Sequence, residues 1–377
     1  MQRFIHLLQT SAWYFCVSFL VWGGGAWALE EIGSASAATS GRGRVKIVTL
    51  PDPVDSNKTL KLLVAENGAP LRGETPRMFV EDTLQTNPEA TDCQYWANLR
   101  NVGRMNTVRV LIYREPQGYN NGCEFGCTTP DLYSASDADT NKDGVLNAND
   151  AGKAQWDDLM NKTKAALDAW INAAAQYGFY VIIDYHPVGG YDAFDAREWW
   201  KVIAPRYKDR THVIYELINE PAKWSSGEYT TPVRNFQSEL YTLVRGLAPN
   251  THIILWSFPK TKTEVSGGAT MLEVVQATSG ISYQNASVSF HSYGWHATNT
   301  NNLKRVYPVI NTEIGGYVPT DYETSISRMK TVGVDSWILL DGLEKGVKVT
   351  WTADPALAQP INCSQVFLPY ISVLTAP

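Results

Sequence analysis

The chain has 377 residues, of which 44% are hydrophobic and 19% charged, with a formal net charge of −6 at pH 7. This is an ordinary globular composition with a sizeable core, and its acidic balance excludes the broad basic face a nucleic-acid partner would need. The length suits one large α/β barrel with insertions.

Residues 1–28 read as a secretory signal peptide. Arg3 is the positive region, Trp13 to Trp22 an apolar run of about ten residues, and Ala26-Trp27-Ala28 a small-x-small cleavage site. The run is short for a membrane span of ~20 residues, so the expectation is a secreted, extracellular or periplasmic protein with no membrane attachment after cleavage. Residues 29–44, rich in Ser, Ala and Gly, read as a flexible leader. Cys93, Cys123, Cys127 and Cys363 then remain outside the signal. An even number in an exported chain suggests disulfides. Of the three connectivities, Cys123–Cys127 with Cys93–Cys363 is preferred, because Cys123 and Cys127 bracket a tight loop. Sequons occur at Asn57, Asn161, Asn285 and Asn362.

From Val45 onward strands and helices alternate. "LKLLVAENGAPLRG" reads as strand, Asn67-Gly68 turn and strand. A helix "YWANLRNVG" precedes the strand "NTVRVLIY". The long amphipathic helix "WDDLMNKTKAALDAWINAAAQYG" precedes "FYVIIDYH", and "AREWWKVIAPRYKD" precedes "HVIYELINEP". Then come the helix "VRNFQSELYTLVRGLAPN", the strands "HIILW", "SVSFHSY" and "VYPVINTEIG", the helix "YETSISRMKTVG" and the strand "VDSWILLDG". Short apolar runs alternating with longer helices imply a parallel sheet of βαβ units. Strand ends near Glu74, Arg109, His186, Glu220, Trp256, His291, Glu313 and Trp337 make eight, the number that closes a (β/α)8 TIM barrel. The step from Arg109 to His186 is far longer than the ~31 residues of an average unit, which places an insertion at about 115–155, after the second strand. The barrel domain as a whole is expected over 45–377.

Polar residues recur where these strands stop: Arg109, His186, Asn219 with Glu220, His291 with Tyr293, and Glu313. In a barrel those ends share one rim, where the chemistry sits. Glu220 ends the fourth strand and Glu313 the seventh. Two carboxyl groups about 5–5.5 Å apart across such a mouth suit retaining glycoside hydrolysis, one protonating the leaving oxygen and the other attacking the anomeric carbon. Arg109 and Tyr293 are suitable donors to the nucleophile's charged form. Asn219 and Glu220 can serve one site only if the strand end is bulged or twisted, because adjacent strand residues face opposite ways.

With "NTVRV", "IIDYH", "VIYELINEP", "HSY", "NTEIG" and "SWILL" in that order, the chain resembles glycoside hydrolase family 5, the cellulase and mannanase family, over about residues 60–341. "LINEP" is the most specific piece. The resemblance implies Glu220 as acid/base and Glu313 as nucleophile, with Arg109, His186, Asn219, His291, Tyr293 and Trp337 lining the subsite of the attacked sugar. Trp351 competes with Trp337 for that place, and Glu74 stands where the family often has Asn.

Thirteen Trp and nineteen Tyr supply faces on which sugar rings stack, and Trp224 and Trp295, in loops after strands, are the expected platforms. Trp199 and Trp200 lie in a helix, at least one of them in the core. Within the insertion, "DTNKDGVLNAND" has the spacing of a calcium loop: Asp139, Asn141 and Asp143, then Gly144 at the sharp turn, the carbonyl of Val145, Asn147, and Asp150 at position 12. A structural Ca2+ is expected there and no cofactor for catalysis. Dockerins carry two such repeats at a chain end, so this single internal copy is not expected to bind a cohesin. The expected protein is a monomeric, secreted, retaining endo-β-1,4-glycanase acting on cellulose or another β-glucan. A β-mannanase, an exo-β-glycosidase and a non-catalytic carbohydrate-binding barrel are the alternatives.

Overall fold

The computed structural model describes residues 42–76, 90–113, 133–222, 228–259, 264–293 and 300–363. Cys123, Cys127, Trp224 and Trp295 lie outside these residues, as do the expected signal peptide and most of the leader.

Eight parallel strands close on themselves in chain order. An antiparallel hairpin, β1 (Lys46–Asp52) and β2 (Asp55–Val64), precedes them. The barrel strands are β3 (Arg72–Thr75), β4 (Thr107–Tyr113), β5 (Tyr180–His186), β6 (Val213–Glu216), β7 (His252–Phe258), β8 (Ala286–Ser292), β9 (Val309–Ile314) and β10 (Trp337–Leu340). Each pairs with the next, and β10 pairs with β3, so the barrel has no free edge. This is the (β/α)8 TIM barrel read from the alternation of elements.

Alternation along the strands sorts residues into two cores. Tyr180, Ile182, Ile214, Ile254, Ile310 and Ile338 fill the interior. Residues one position away, such as Val181, Val213, Ile253 and Val309, pack outward. The outer layer includes α1 (Cys93–Ala97), α2 (Ala135–Ala138), α3 (Lys153–Tyr177), α4 (Ala193–Tyr207), α5 (Thr231–Leu247), α6 (Met271–Gln276), α7 (Asn301–Val306) and α8 (Pro319–Thr331). The long helix α3 stops at Gly178, whose φ of 75° is left-handed backbone that favours glycine. Trp199 and Trp200 are both fully buried in this shell.

Two boundaries differ from expectation. The leader ends before residue 44: Arg42 is buried, its guanidinium bonded to Asp354 (2.7 Å) and to the Gly178 carbonyl (3.2 Å). A charge with such partners docks rather than remaining in solvent. The hairpin strand β1 was not anticipated, because its residues are mostly exposed and carry no clean apolar run. Of the cysteines, Cys93 and Cys363 form the expected disulfide. Glu74 is buried on β3 and accepts the Leu343 N–H at 3.0 Å, tying down the segment that follows β10.

Candidate active site

The interior changes character above the isoleucine layer. On β4, β5 and β6 the inward positions become Arg109, Asp184 and Glu216, all buried. Arg109 is therefore an interior residue near the start of β4, not its end. Its guanidinium is the hub of the mouth. Nε donates to Glu216 Oε2 (2.7 Å), Nη1 to Glu313 Oε2 (2.8 Å), and Nη2 to Asn219 Oδ1 (2.8 Å) and Asp184 Oδ2 (2.9 Å). Burial alone would lower the guanidinium pKa, but Asp184, Glu216 and Glu313 outweigh it, and the pKa is raised.

Glu216 is held as firmly. Its Oε1 accepts Ser257 Oγ (2.6 Å), Thr312 Oγ1 (2.8 Å) and Ser289 Oγ (3.3 Å). Burial opposes its charge, yet Arg109 keeps its pKa below the ordinary value. Neither Glu216 nor Asp184 was singled out from the sequence, although each sits an even number of positions from a rim residue. That spacing, on the face shared with interior isoleucines, was the available signal.

Departures from regular strand geometry bring adjacent residues into one site. Beyond β6 the ladder continues through Leu217 N–H to the Ile254 carbonyl (3.1 Å) and Asn219 N–H to the Tyr185 carbonyl (2.9 Å). At Glu220 the backbone turns to φ 26°, and its carbonyl accepts the Gly189 N–H at 2.8 Å. A non-glycine residue held at positive φ is strained, and such strain gathers at functional sites. It lets Asn219 reach Arg109 while Glu220 reaches His291. On β9 the pairing with β8 jumps from Phe290↔Asn311 to His291↔Glu313. The extra residue is a bulge, and Asn311 Oδ1 pins it by accepting the Glu313 N–H at 3.0 Å. Thr312 and Glu313 thereby both reach the interior.

The two carboxylates flank an imidazole. His291 Nδ1 lies 2.5 Å from Glu220 Oε1 and 3.9 Å from Glu313 Oε1, and its Nε2 lies 3.2 Å from Thr312 Oγ1. Ligand atoms of Glu220, His291 and Glu313 all fall within 4.8 Å of one another, and no other such group occurs among the described residues. Glu313 also accepts the Tyr293 hydroxyl. Burial raises its pKa, but the His291 and Arg109 charges prevail and hold it down at about 2. Burial likewise opposes the imidazolium of His291, and the Glu313 and Glu220 carboxylates override that, raising its pKa.

His186 ends β5 with Nδ1 2.6 Å from Asp184 Oδ2, its ring edge-on to Tyr113. Gly315 has a role the sequence reading missed. A Cβ there would sit 2.2 Å from the Tyr293 ring, so only glycine lets that ring lie over the backbone. Trp337 is a correction. It opens β10 rather than ending it, is 1% exposed, and packs edge-on against Trp351 beneath the Arg72 guanidinium. Its neighbour Ile338 is the one that points inward, so strand alternation turns Trp337 into the outer shell. Trp351 is committed there too, donating to the Gly103 carbonyl at 2.8 Å. Trp256 is buried on the Tyr283 hydroxyl and offers no sugar platform.

The family model for Cellulase (glycosyl hydrolase family 5) matches residues 83–338. The chain belongs to glycosyl hydrolase family 5. Among curated relatives, "Endoglucanase E-5" of Thermobifida fusca is 29% identical over 156 residues, 38% of this chain and 32% of that protein. "Endoglucanase A" of Butyrivibrio fibrisolvens is 27% identical over 183 residues, 47% of this chain and 34% of that one. The match thus spans about a third of these relatives' length. The catalytic domain of Thermobifida fusca endoglucanase Cel5A shares the fold, with a TM-score of 0.50 at 19% identity over 74% of this chain and 81% of its own. β-Glucanase SdGluc5_26A of Saccharophagus degradans does so with a TM-score of 0.51 at 17% identity over 83% and 85%.

Proposed function

We propose that this family 5 chain is a secreted, retaining endo-β-1,4-glycanase that hydrolyses cellulose or another β-glucan. The observation that carries the reading is the approach of the Glu220 and Glu313 carboxyl groups to within 4.8 Å across the barrel mouth. That gap suits direct attack by one carboxylate and is too narrow for the intervening water of an inverting enzyme. The endoglucanase names of its relatives support the substrate class, and the apolar run at residues 13–22 supports export.

The environments divide the labour. Glu313, held ionised between Arg109 and Tyr293, attacks the anomeric carbon as the glycosidic C–O bond breaks. Glu220 passes its proton to the departing oxygen, and His291 at 2.5 Å orients that carboxyl group. In the second step Glu220, now a carboxylate, takes a proton from water. The water attacks the same carbon from the face the leaving group vacated, and Glu313 departs, so configuration is retained. Asn219, held by Arg109 and donating to the Pro187 carbonyl at 3.0 Å, is placed to meet the sugar 2-hydroxyl. Its amide acts there only where the bond strengthens in the transition state.

Hydrolysis of a polysaccharide panel, with the product anomer followed by NMR, tests the reading. Net retention on β-1,4-glucan is expected. Glu313→Ala is expected to lower kcat by roughly five orders of magnitude, and azide to restore turnover with an inverted glycosyl azide product. First-formed product of inverted configuration from the unaltered enzyme would overturn the mechanism. Cleavage of mannan alone would overturn the substrate.

A further inference from the structure

The insertion after β4 carries two buried carboxylates that the glycan site does not use. Asp139 and Asp150 are each 4% exposed, and neither is paired with a cationic side chain among the described residues. A carboxylate removed from water without a counter-charge is costly. Asp139 Oδ2 accepts the Gly144 N–H at 2.9 Å, while its Oδ1 is buried with no hydrogen-bond partner. Oδ2 is thereby tied to the turn at Gly144, where φ is 76°, and the unmatched Oδ1 of the same carboxylate lies buried beside that turn. Asp150 closes the same loop, accepting the N–H groups of Asn147 (2.9 Å) and Asn141 (3.4 Å).

We propose that residues 139–150 bind a calcium ion that clips the insertion to the barrel wall beside His186. Asp139, Asn141, Asp143, the Val145 carbonyl, Asn147 and Asp150 would supply the six to eight oxygens a hard cation of this size takes. Magnesium demands a tighter octahedron and keeps its waters, so it fits a wrapping loop poorly.

A path of short contacts anchors the loop to the barrel. The Asp139 N–H closes α2 on the Ala135 carbonyl at 2.9 Å. At the other end of α2, the Ala135 N–H donates to Asp195 Oδ1 (2.7 Å), and Asp195 Oδ2 accepts the Tyr185 hydroxyl (2.8 Å). Tyr185 precedes His186 on β5. On the far side of the loop, Gly152 leads into α3 so close to Tyr133 and Ala138 that a Cβ would overlap both. The ion therefore joins α2 to α3 at one point and leaves the carboxylate pair untouched.

The test uses the full chain, stripped with EGTA and dialysed, and reads melting temperature and heat of calcium binding. Calcium at one hundred times Kd should raise Tm by roughly 4 °C, with magnesium at the same concentration giving far less. Asp143→Ala, whose side chain is exposed and whose loss should not unfold the chain, should abolish both the heat and the shift. Its initial rate on soluble β-glucan at low temperature should stay within about twofold of the unaltered protein, as is usual for a surface substitution. A melt indifferent to calcium, an equal response to magnesium, or an Asp143→Ala protein that keeps the full shift would each overturn the proposal.

Discussion

In the barrel mouth, Asp184, Glu216 and Glu313 surround one guanidinium, whereas in the 139–150 loop Asp139 and Asp150 meet backbone N–H groups and the Thr140 hydroxyl, with no cationic side chain paired to them among the described residues. Both regions withdraw carboxylates from water. In the first, the protein supplies the counter-charge from its own strands, so the site is complete as folded and Glu313 stays ionised. In the second, the proposed calcium ion would bring the counter-charge from solution. The difference separates a mouth whose field is fixed by the fold from a loop whose proposed role is to take up an ion.

The comparison breaks most visibly if the mouth is deprived of one partner. Glu216→Gln leaves Arg109 less neutralised and loosens the donors Ser257 and Thr312. Removing one member of a buried charge pair costs about 3–5 kcal/mol, and displaced catalytic geometry about 100-fold in rate. Chemical denaturation and steady-state kinetics should show both losses, and calcium should rescue neither. Unchanged kcat would remove Glu216 from the positioning of Arg109. A smaller effect is expected from Gly315→Ala, which pushes the Tyr293 ring off the backbone. A fall in kcat of about tenfold, with KM changed less, is the outcome consistent with Tyr293 as a donor to Glu313, the proposed nucleophile.

Acid sharpens the contrast further. The Glu313 pKa is depressed from 4.5 to about 2, so its contribution to stability is present above pH 4.5 and drains away as pH falls toward 2. The raised His291 pKa acts in the other sense, its contribution full below its ordinary 6.5 and lost as pH rises through the raised value. Melting temperature should therefore decline on acidification below pH 4.5, and Glu313→Gln should flatten that decline. An identical slope in the variant would show that the acid sensitivity arises elsewhere. The smallest effect belongs to the loop, where EGTA should shift Tm by a few degrees and leave the low-temperature rate nearly unaltered.

Much of this was legible in the sequence because strand ends and barrel chemistry coincide. "VIYELINEP" and "NTEIG" marked Glu220 and Glu313, and the helix-to-strand rhythm marked the closed barrel. The inner charge layer was harder to see. Asp184 and Glu216 sit inside apolar strands, where a lone acid reads as an anomaly until Arg109 is known to lie between them. The bulge at Asn311–Glu313 and the positive φ of Glu220 leave no composition signature, since both depend on pairing with other strands. Trp337 was misplaced for a related reason: its face is set by a one-residue alternation whose phase only Ile338 in the interior fixes.

The most direct test of the central claim is to trap the glycosyl-enzyme. A 2-deoxy-2-fluoro cellobioside with a good leaving group should inactivate the enzyme with one equivalent of leaving group released, and mass spectrometry of the digest should find the sugar on the peptide bearing Glu313. Label on another residue, or steady turnover with no covalent adduct and inverted product, would contradict it.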